Sequence, residues 1–269
     1  MTADNAPKNI VDSIFDEFGR PFPRGIKGPV HIKTRRRFIA VQPEIDYAQI
    51  HQRINAQLGG ADTLSVAEFT RRAKAILADL GRSSTMAAVL KGVHVPFFLP
   101  KVTDASPDDI GQDLQERYLK AVERSFVEKF PQYSFTNHHK DSLAGGLCIA
   151  AGSRHERLLS AARKGPVVGI YFLSLLEYSV PAAIEQMASL PECFLLAGGI
   201  DTCATLVGSP DLLLRTDGYP PLIWLASLGE ENPGAGYYFE AYGYNLTFNR
   251  RMHFGDVAEY WSSGLVVVG

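Results

Sequence analysis

Phe126-Val-Glu-Lys-Phe130-Pro131-Gln132-Tyr133-Ser134-Phe135-Thr136 is the stretch in which the chain changes character. Upstream of it, Ile110, Leu114, Tyr118, Ala121, Val122, Ser125, Phe126 and Phe130 recur at three and four, the spacing of one buried helix face. Ser106-Pro107-Asp108-Asp109 reads as the start of that helix, with Pro at its first position. Pro131 ends it, because proline cannot donate its backbone nitrogen to a continuing helix. Downstream, Tyr133–Thr136 is a candidate strand. Helical spacing dominates before 131 and short apolar runs dominate after it. That segregation predicts an α+β fold, in which a helix-rich N-terminal segment (residues 1–131) packs on a largely antiparallel sheet formed mostly by 132–269. The run at 93–99 belongs with the same sheet, so 1–269 reads as one domain.

Working outward toward the N-terminus, Ser65-Val-Ala-Glu68 is a capping box, and Val66, Phe69, Ala73, Ile76, Leu77 and Leu80 follow at helical spacing until Gly81. A helix over 44–58 is expected from Ile45, Ile50, Ile54 and Leu58, closed by Gly59-Gly60. Ile10, Val11, Ile14, Phe15 and Phe18 suggest one more, and 85–91 a short one. Gly92–Lys101 reads as a buried strand, and Pro96 and Pro100 place it at an edge or a bulge. Toward the C-terminus, strands are expected over 166–178, 193–197, 204–207, 221–228, 237–248 and 265–268. A helix over 180–189 interrupts them, capped by Ser179, and a helical turn is expected at 256–261.

The chain of 269 residues is 46% hydrophobic, ample for a sizeable core. Its formal net charge of −2 supplies no global field toward nucleic acid or a membrane surface. The longest apolar runs are too short to span a bilayer, and the first residues lack the pattern of a signal peptide. A cytoplasmic protein is expected, and nucleic acid and membranes are disfavoured as partners. Cys148, Cys193 and Cys203 are odd in number, lie in apolar surroundings and have no Cys-x-x-Cys spacing, so buried free thiols are expected. A homo-oligomer remains open.

Chemistry concentrates in Asn137-His138-His139-Lys140-Asp141, at the end of the expected strand, where functional loops sit on rigid scaffolds. A histidine there can move protons near neutral pH, with Asp141 orienting it. Adjacent histidines in extended chain point in opposite directions, so one of His138 and His139 faces a given pocket. No His-Glu-x-x-His or His-x-His pattern supports a metal, and no phosphate-loop, dinucleotide or Gly-x-Ser-x-Gly motif is present. No cofactor is therefore expected. Lys101, following an apolar run, is a candidate for holding an anionic substrate. Glu177, at the mouth of a buried strand, is a candidate of the same kind, with helix N-terminal electrostatics as the competing explanation. Trp224 and the tyrosines of 237–244 either line a pocket or belong to the core. Between Arg20 and Arg37 the chain holds seven Lys/Arg and no acid. That pattern suits an anion site or a solvated edge.

Val-His-Val-Pro-Phe-Phe-Leu-Pro-Lys (93–101), Asn-His-His-Lys-Asp-Ser-Leu-Ala (137–144) and Gly-Pro-Val-Val-Gly-Ile-Tyr-Phe (165–172) are followed by Glu-Cys-Phe-Leu-Leu-Ala-Gly (192–198) and Pro-Pro-Leu-Ile-Trp-Leu (220–225). That succession, over roughly 85–230, resembles an uncharacterised, mainly actinobacterial family catalogued as a domain of unknown function. The resemblance implies a bacterial protein with an Asn-His pair followed by acidic residues. Here Lys140 stands where an acid is expected and the carboxylate comes at Asp141.

The sequence thus leads to an enzyme acting on a small molecule by histidine acid/base chemistry. His138 or His139 and Asp141 are its catalytic candidates. Asn137, Lys101, Glu177 and Trp224 are its substrate contacts. Lyase, isomerase or cyclase, and hydrolase chemistry all remain open, and specialised metabolism is the suggested setting. The alternative is a non-catalytic binding protein that uses the basic 20–37 arm and the aromatic strand.

Overall fold

A computed structural model describes residues 13–31, 38–59, 64–101, 109–214, 218–230, 232 and 234–269. The expected helix at 10–18 lies partly outside them, as do Gly60, the Ser106-Pro107 start signal and Lys33 and Arg35–Arg37 of the basic arm. The fold is α+β, with helices mainly in the first half and strands in the second.

α1 (Tyr47–Leu58) starts where Asp46 accepts the amides of Ala48 and Gln49, and it buries Ile50, Ile54 and Leu58. α2 (Val66–Arg82) starts at Ser65, whose hydroxyl accepts the Glu68 amide, and runs one residue past Gly81. Ala87–Lys91 forms a short 3-10 turn before β1 (His94–Leu99). The long helix is interrupted: α3 (Ile110–Asp113) passes through a π turn at Leu114–Tyr118 into α4 (Leu119–Lys129). Its apolar face, with Leu114, Tyr118, Val122 and Phe126, is buried as the spacing required.

The strand-rich half runs β2 (Phe135–Asn137), β3 (Cys148–Ile149), α5 (His155–Lys164), β4 (Val167–Leu176), α6 (Val180–Gln186), β5 (Phe194–Leu196) and α7 (Gly199–Gly208). β6 (Leu222–Trp224), β7 (Leu228–Gly229), β8 (Ala235–Tyr242), β9 (Asn245–Met252) and β10 (Trp261–Val268) complete it. The main sheet runs β1-β4-β10-β6-β8-β9-β2, with β5 also on β10. Its pairings are antiparallel except for β10 with β6 and β2 with β9. β1, from the helix-rich half, forms one edge, as its prolines indicated.

Several expectations fail, each for a physical reason. Residues 204–207 are helical, inside α7, whose ten residues are all buried. A helix buried on every side has no amphipathic period, and Thr202, Thr205 and Val207 imitate a strand. α5 had no start signal because its N-cap is Arg154, at φ 59°, with no side-chain cap. The run 237–248 is two strands, joined by Gly243 (φ 57°) and Tyr244 (φ 69°) between the paired Tyr242 and Asn245. Both central residues at positive φ suit a tight hairpin turn. Residues 256–260 form no helix, and the strand β10 starts at Trp261. Residues 13–18 are not helical either: Phe15 bridges to Pro21. Of the cysteines only Cys203 is buried, while Cys148 and Cys193 are exposed.

The centre of the sheet contains a break. β6 lies along the first half of β10, parallel to it, and β5 lies along the second half, antiparallel to it. The carboxyl ends of β5 and β6 therefore meet beside β10 where its register shifts between Ser263 and Leu265. Ala197 N donates to Gly264 O at 2.9 Å and Ser227 N to Ala197 O at 3.1 Å, closing the junction. α7 begins at that junction.

Candidate functional site

β2 ends in the Asn-His-His segment. His138 N donates to Phe248 O at 2.9 Å, extending the pairing with β9 by one residue. The chain then turns, as Asn137 Oδ1 accepts the His139 amide at 2.9 Å. The turn sends the two imidazoles to different surroundings. His138, Lys140 and Asp141 are exposed. His139 is half-buried, with its ring edge-on to Tyr237 at 5.2 Å, and its Nε2 is buried without a hydrogen-bond partner. Burial holds this imidazole below its ordinary pKa; the charge of Asp141 opposes that and Arg250 adds to it.

Tyr237 faces Arg250 across β8 and β9. The Arg250 guanidinium grips Glu230 with both arms, Nε to Oε1 at 3.0 Å and Nη2 to Oε2 at 2.9 Å. A fork-to-carboxylate pair of this kind fixes geometry as well as charge. Glu230 follows β7 and lines a cleft of about 370 Å³, within the roughly 300–1,000 Å³ usual for small-molecule sites. One wall is α6, through Val180, Pro181, Ile184 and Glu185; the other includes Ala150, Leu228 and Ala235. His253 also lines it.

His253 is 4% exposed. Its ring stands edge-on to Trp224 at 5.6 Å, and its Nδ1 accepts the Gly255 amide at 3.4 Å. A neutral ring in that arrangement carries its proton on Nε2. Burial lowers its pKa, against the Ala235 backbone and the charges of Asp256 and Glu230. The charge of Glu230 opposes burial at both imidazoles, as the smallest of the influences on each. Neither Glu230 nor His253 had a motif around it; both become visible only once β7 and the end of β9 are brought together.

Of the other sequence candidates, Trp224 reaches the site as the buried neighbour of His253, whereas Lys101 and Glu177 lie elsewhere. Lys101 follows β1, at the sheet edge opposite β2 and Asn137. Trp224 is 1% exposed and packs on Tyr238 and Trp261. Glu177 is 2% exposed, at φ 65°, and pairs with Arg20 at 3.0 Å. The structure does not gather these three around His139. The pair ties the segment 13–31 to the end of β4, and Tyr178 Oη donates to Pro21 O at 2.7 Å beside it. Glu185 accepts the amides of Lys27 and Gly28, so the same segment also holds the cleft wall. Of the basic run, Arg20 is therefore spent internally, while Arg24 and Lys27 are exposed. Of the aromatic strand, Tyr237 and Tyr238 are buried, and Tyr242 and Tyr244 face outward.

Among the described residues, no helix is long and apolar enough to cross a membrane, and no group of three ligating side chains could hold a metal ion. No family model, curated protein or solved structure matches the chain.

Proposed function

We propose that the protein is an enzyme acting on a small molecule by histidine acid/base chemistry, with the cleft between α6 and β7 as its substrate site. The observation that carries this reading is an apolar cleft edged by Glu230, which Arg250 clamps, and lined by the buried His253. Apolar walls with a few placed polar groups are the usual make-up of a ligand site. Imidazoles kept neutral by burial are ready to accept or relay a proton at neutral pH. His253, with its proton on Nε2, serves as the donor, and His139, with a free Nε2, as the acceptor. Asp141 offsets charge that develops on His139, and Asn137 fixes the turn that presents it.

The test is a thermal-shift screen of small apolar esters, acids, alcohols and amines against the full chain, with native mass spectrometry of the hits. Ile184→Trp fills the cleft from its apolar wall and is expected to abolish the shifts. Hits that bind Ile184→Trp as well as the wild type overturn the reading.

A further inference from the structure

The junction at the centre of the sheet gathers polar side chains that the cleft does not use. His155, the first residue of α5, is 1% exposed, and Asp201, in the first turn of α7, is fully buried. Ser227 is fully buried, and its hydroxyl has no hydrogen-bond partner. The three converge on Gly198. The point a Cβ on Gly198 would occupy lies 2.2 Å from Ser227 Oγ and 2.7 Å from His155 Nε2, so the hydroxyl and the imidazole both lie against the space that any side chain at 198 would fill. Nearby, the Ser263 hydroxyl is buried without a partner, and the buried hydroxyls of Tyr171 and Thr202 bear on each other. Gly264, next to Ser263, meets Tyr171 in the same way that Gly198 meets Ser227. Unpartnered buried hydroxyls are individually costly, and those of Ser227 and Ser263, beside a bulge and a sheet break, call for an explanation that apolar packing does not give.

His155 is oriented for base chemistry. Its Nδ1 lies 3.3 Å from Leu196 O, so a neutral ring donates there and leaves its Nε2 lone pair on the Gly198 side, where Ser227 Oγ also lies. Asp201 Oδ1 is 4.0 Å from the same Nε2. Its carboxylate accepts the Gly198 amide at 3.0 and 3.1 Å. Burial pushes the Asp201 carboxyl up, while His155 and the backbone amides act to keep it ionised. A carboxylate there stabilises the imidazolium that forms when Nε2 takes a proton. The junction also adjoins the cleft: Ser227 precedes Leu228, and Ser227 O accepts the Ala150 amide at 2.8 Å, Ala150 and Leu228 both being cleft residues.

From this geometry we infer that Ser227 is a nucleophile, with His155 as its base, and that the reaction is acyl transfer from an ester or thioester with an apolar body. The inference rests on the cleft being the route by which substrate arrives. Ser227 Oγ attacks the acyl carbon as its proton passes to His155 Nε2. The bond to the leaving group then breaks, and that group takes the proton from Nε2. Water repeats the sequence on the acyl-serine, releasing the acid and restoring the hydroxyl. Of the first amides of α7, those of Asp201 and Thr202 are taken by the Asp201 carboxylate, which leaves those of Gly199 and Ile200, without an intrahelical acceptor, for the oxyanion.

The test is to incubate the full chain with a linear alkyl fluorophosphonate and to follow intact mass and peptide mapping. One adduct is expected, on Ser227, with fluoride lost. It is expected to be absent from Ser227→Ala and at least about 100-fold slower in His155→Gln, the usual size of a general-base contribution. Wild-type protein with Ser227 unlabelled, or His155→Gln labelled at the wild-type rate, overturns the inference. The mapping on the wild type needs no variant, so a substitution that unfolds cannot shelter the idea. Ser227 labelled equally fast in Ile184→Trp keeps the nucleophile and sinks the cleft as its approach. Ligands that bind the cleft while Ser227 stays unlabelled do the reverse.

Discussion

Arg250 and Glu230 meet through two hydrogen bonds, at 3.0 and 2.9 Å, and join the Tyr237 side of the β8–β9 hairpin to the edge of the cleft. Glu230 is the more buried partner, its side chain 14% exposed against 33% for Arg250. Arg250→Ala therefore strands a largely buried carboxylate and is expected to cost about 1–2 kcal/mol, in the range of charged hydrogen bonds. Glu230→Gln keeps one acceptor oxygen and costs less. The measurement is urea unfolding of both variants, and a larger loss in Glu230→Gln than in Arg250→Ala contradicts the asymmetry.

The Arg20–Glu177 pair is buried more deeply, with side chains 10% and 2% exposed. Arg20 Nε and Glu177 Oε1 have no partner, so the pair is imperfectly compensated. Removing one member leaves a bare charge in the interior, which typically costs about 3–5 kcal/mol. Arg20→Met is expected to fall in that range. Arg20→Met with Glu177→Leu is expected to be less destabilised than Arg20→Met alone, because no charge remains to be buried. A double variant weaker than the single one shows that the ion pair itself supplies net stability.

Much of the fold could be read from residues in sequence. The Ser65 cap and the amphipathic face from Ile110 to Phe126 act locally, and β1 announced its edge position through Pro96. α7 could not be read, because it is buried on all sides and so shows no exposed polar face. α5 could not be read, because its start depends on Arg154, whose guanidinium reaches Pro191 O and Met187 O, far along the chain. The site divides in the same way. Asn137–Asp141 stood out because its chemistry is contiguous. Glu230, His253, His155 and Ser227 acquire partners only through pairings such as Gly234 with His253 and Ala197 with Ser227, which no spacing rule supplies.

His139 and His253 set a pH dependence. Burial lowers both values below the ordinary histidine value of about 6.5. Between the folded values and about 6.5 the unfolded chain binds more protons, so stability rises with pH across that window. It is fully present above about pH 6.5 and is lost as pH falls through the folded values. Melting temperatures of the wild type, His139→Gln and His253→Gln between pH 8 and pH 5 test this. Each variant should lose less than the wild type on acidification. Parallel curves for all three would remove the histidines as the cause.

The turn made by Asn137 separates the roles of the two adjacent histidines and of Lys101. His138 is exposed, whereas His139 lies on Tyr237 with its Nε2 enclosed. Lys101 is at the far edge of the sheet. His138→Ala and Lys101→Ala are therefore expected to change stability by less than about 0.5 kcal/mol, as surface substitutions do. Both should leave the affinity of any cleft ligand intact. His139→Ala removes the ring packed on Tyr237 and is expected to weaken that ligand at least about tenfold, or about 1.4 kcal/mol. Asn137→Ala releases the turn and should act in the same direction as His139→Ala. Titration of one cleft ligand against the four variants decides the matter: weakening by His138→Ala or Lys101→Ala with His139→Ala unaffected would mean that the proton chemistry lies outside the Tyr237–Glu230–His253 side of the molecule.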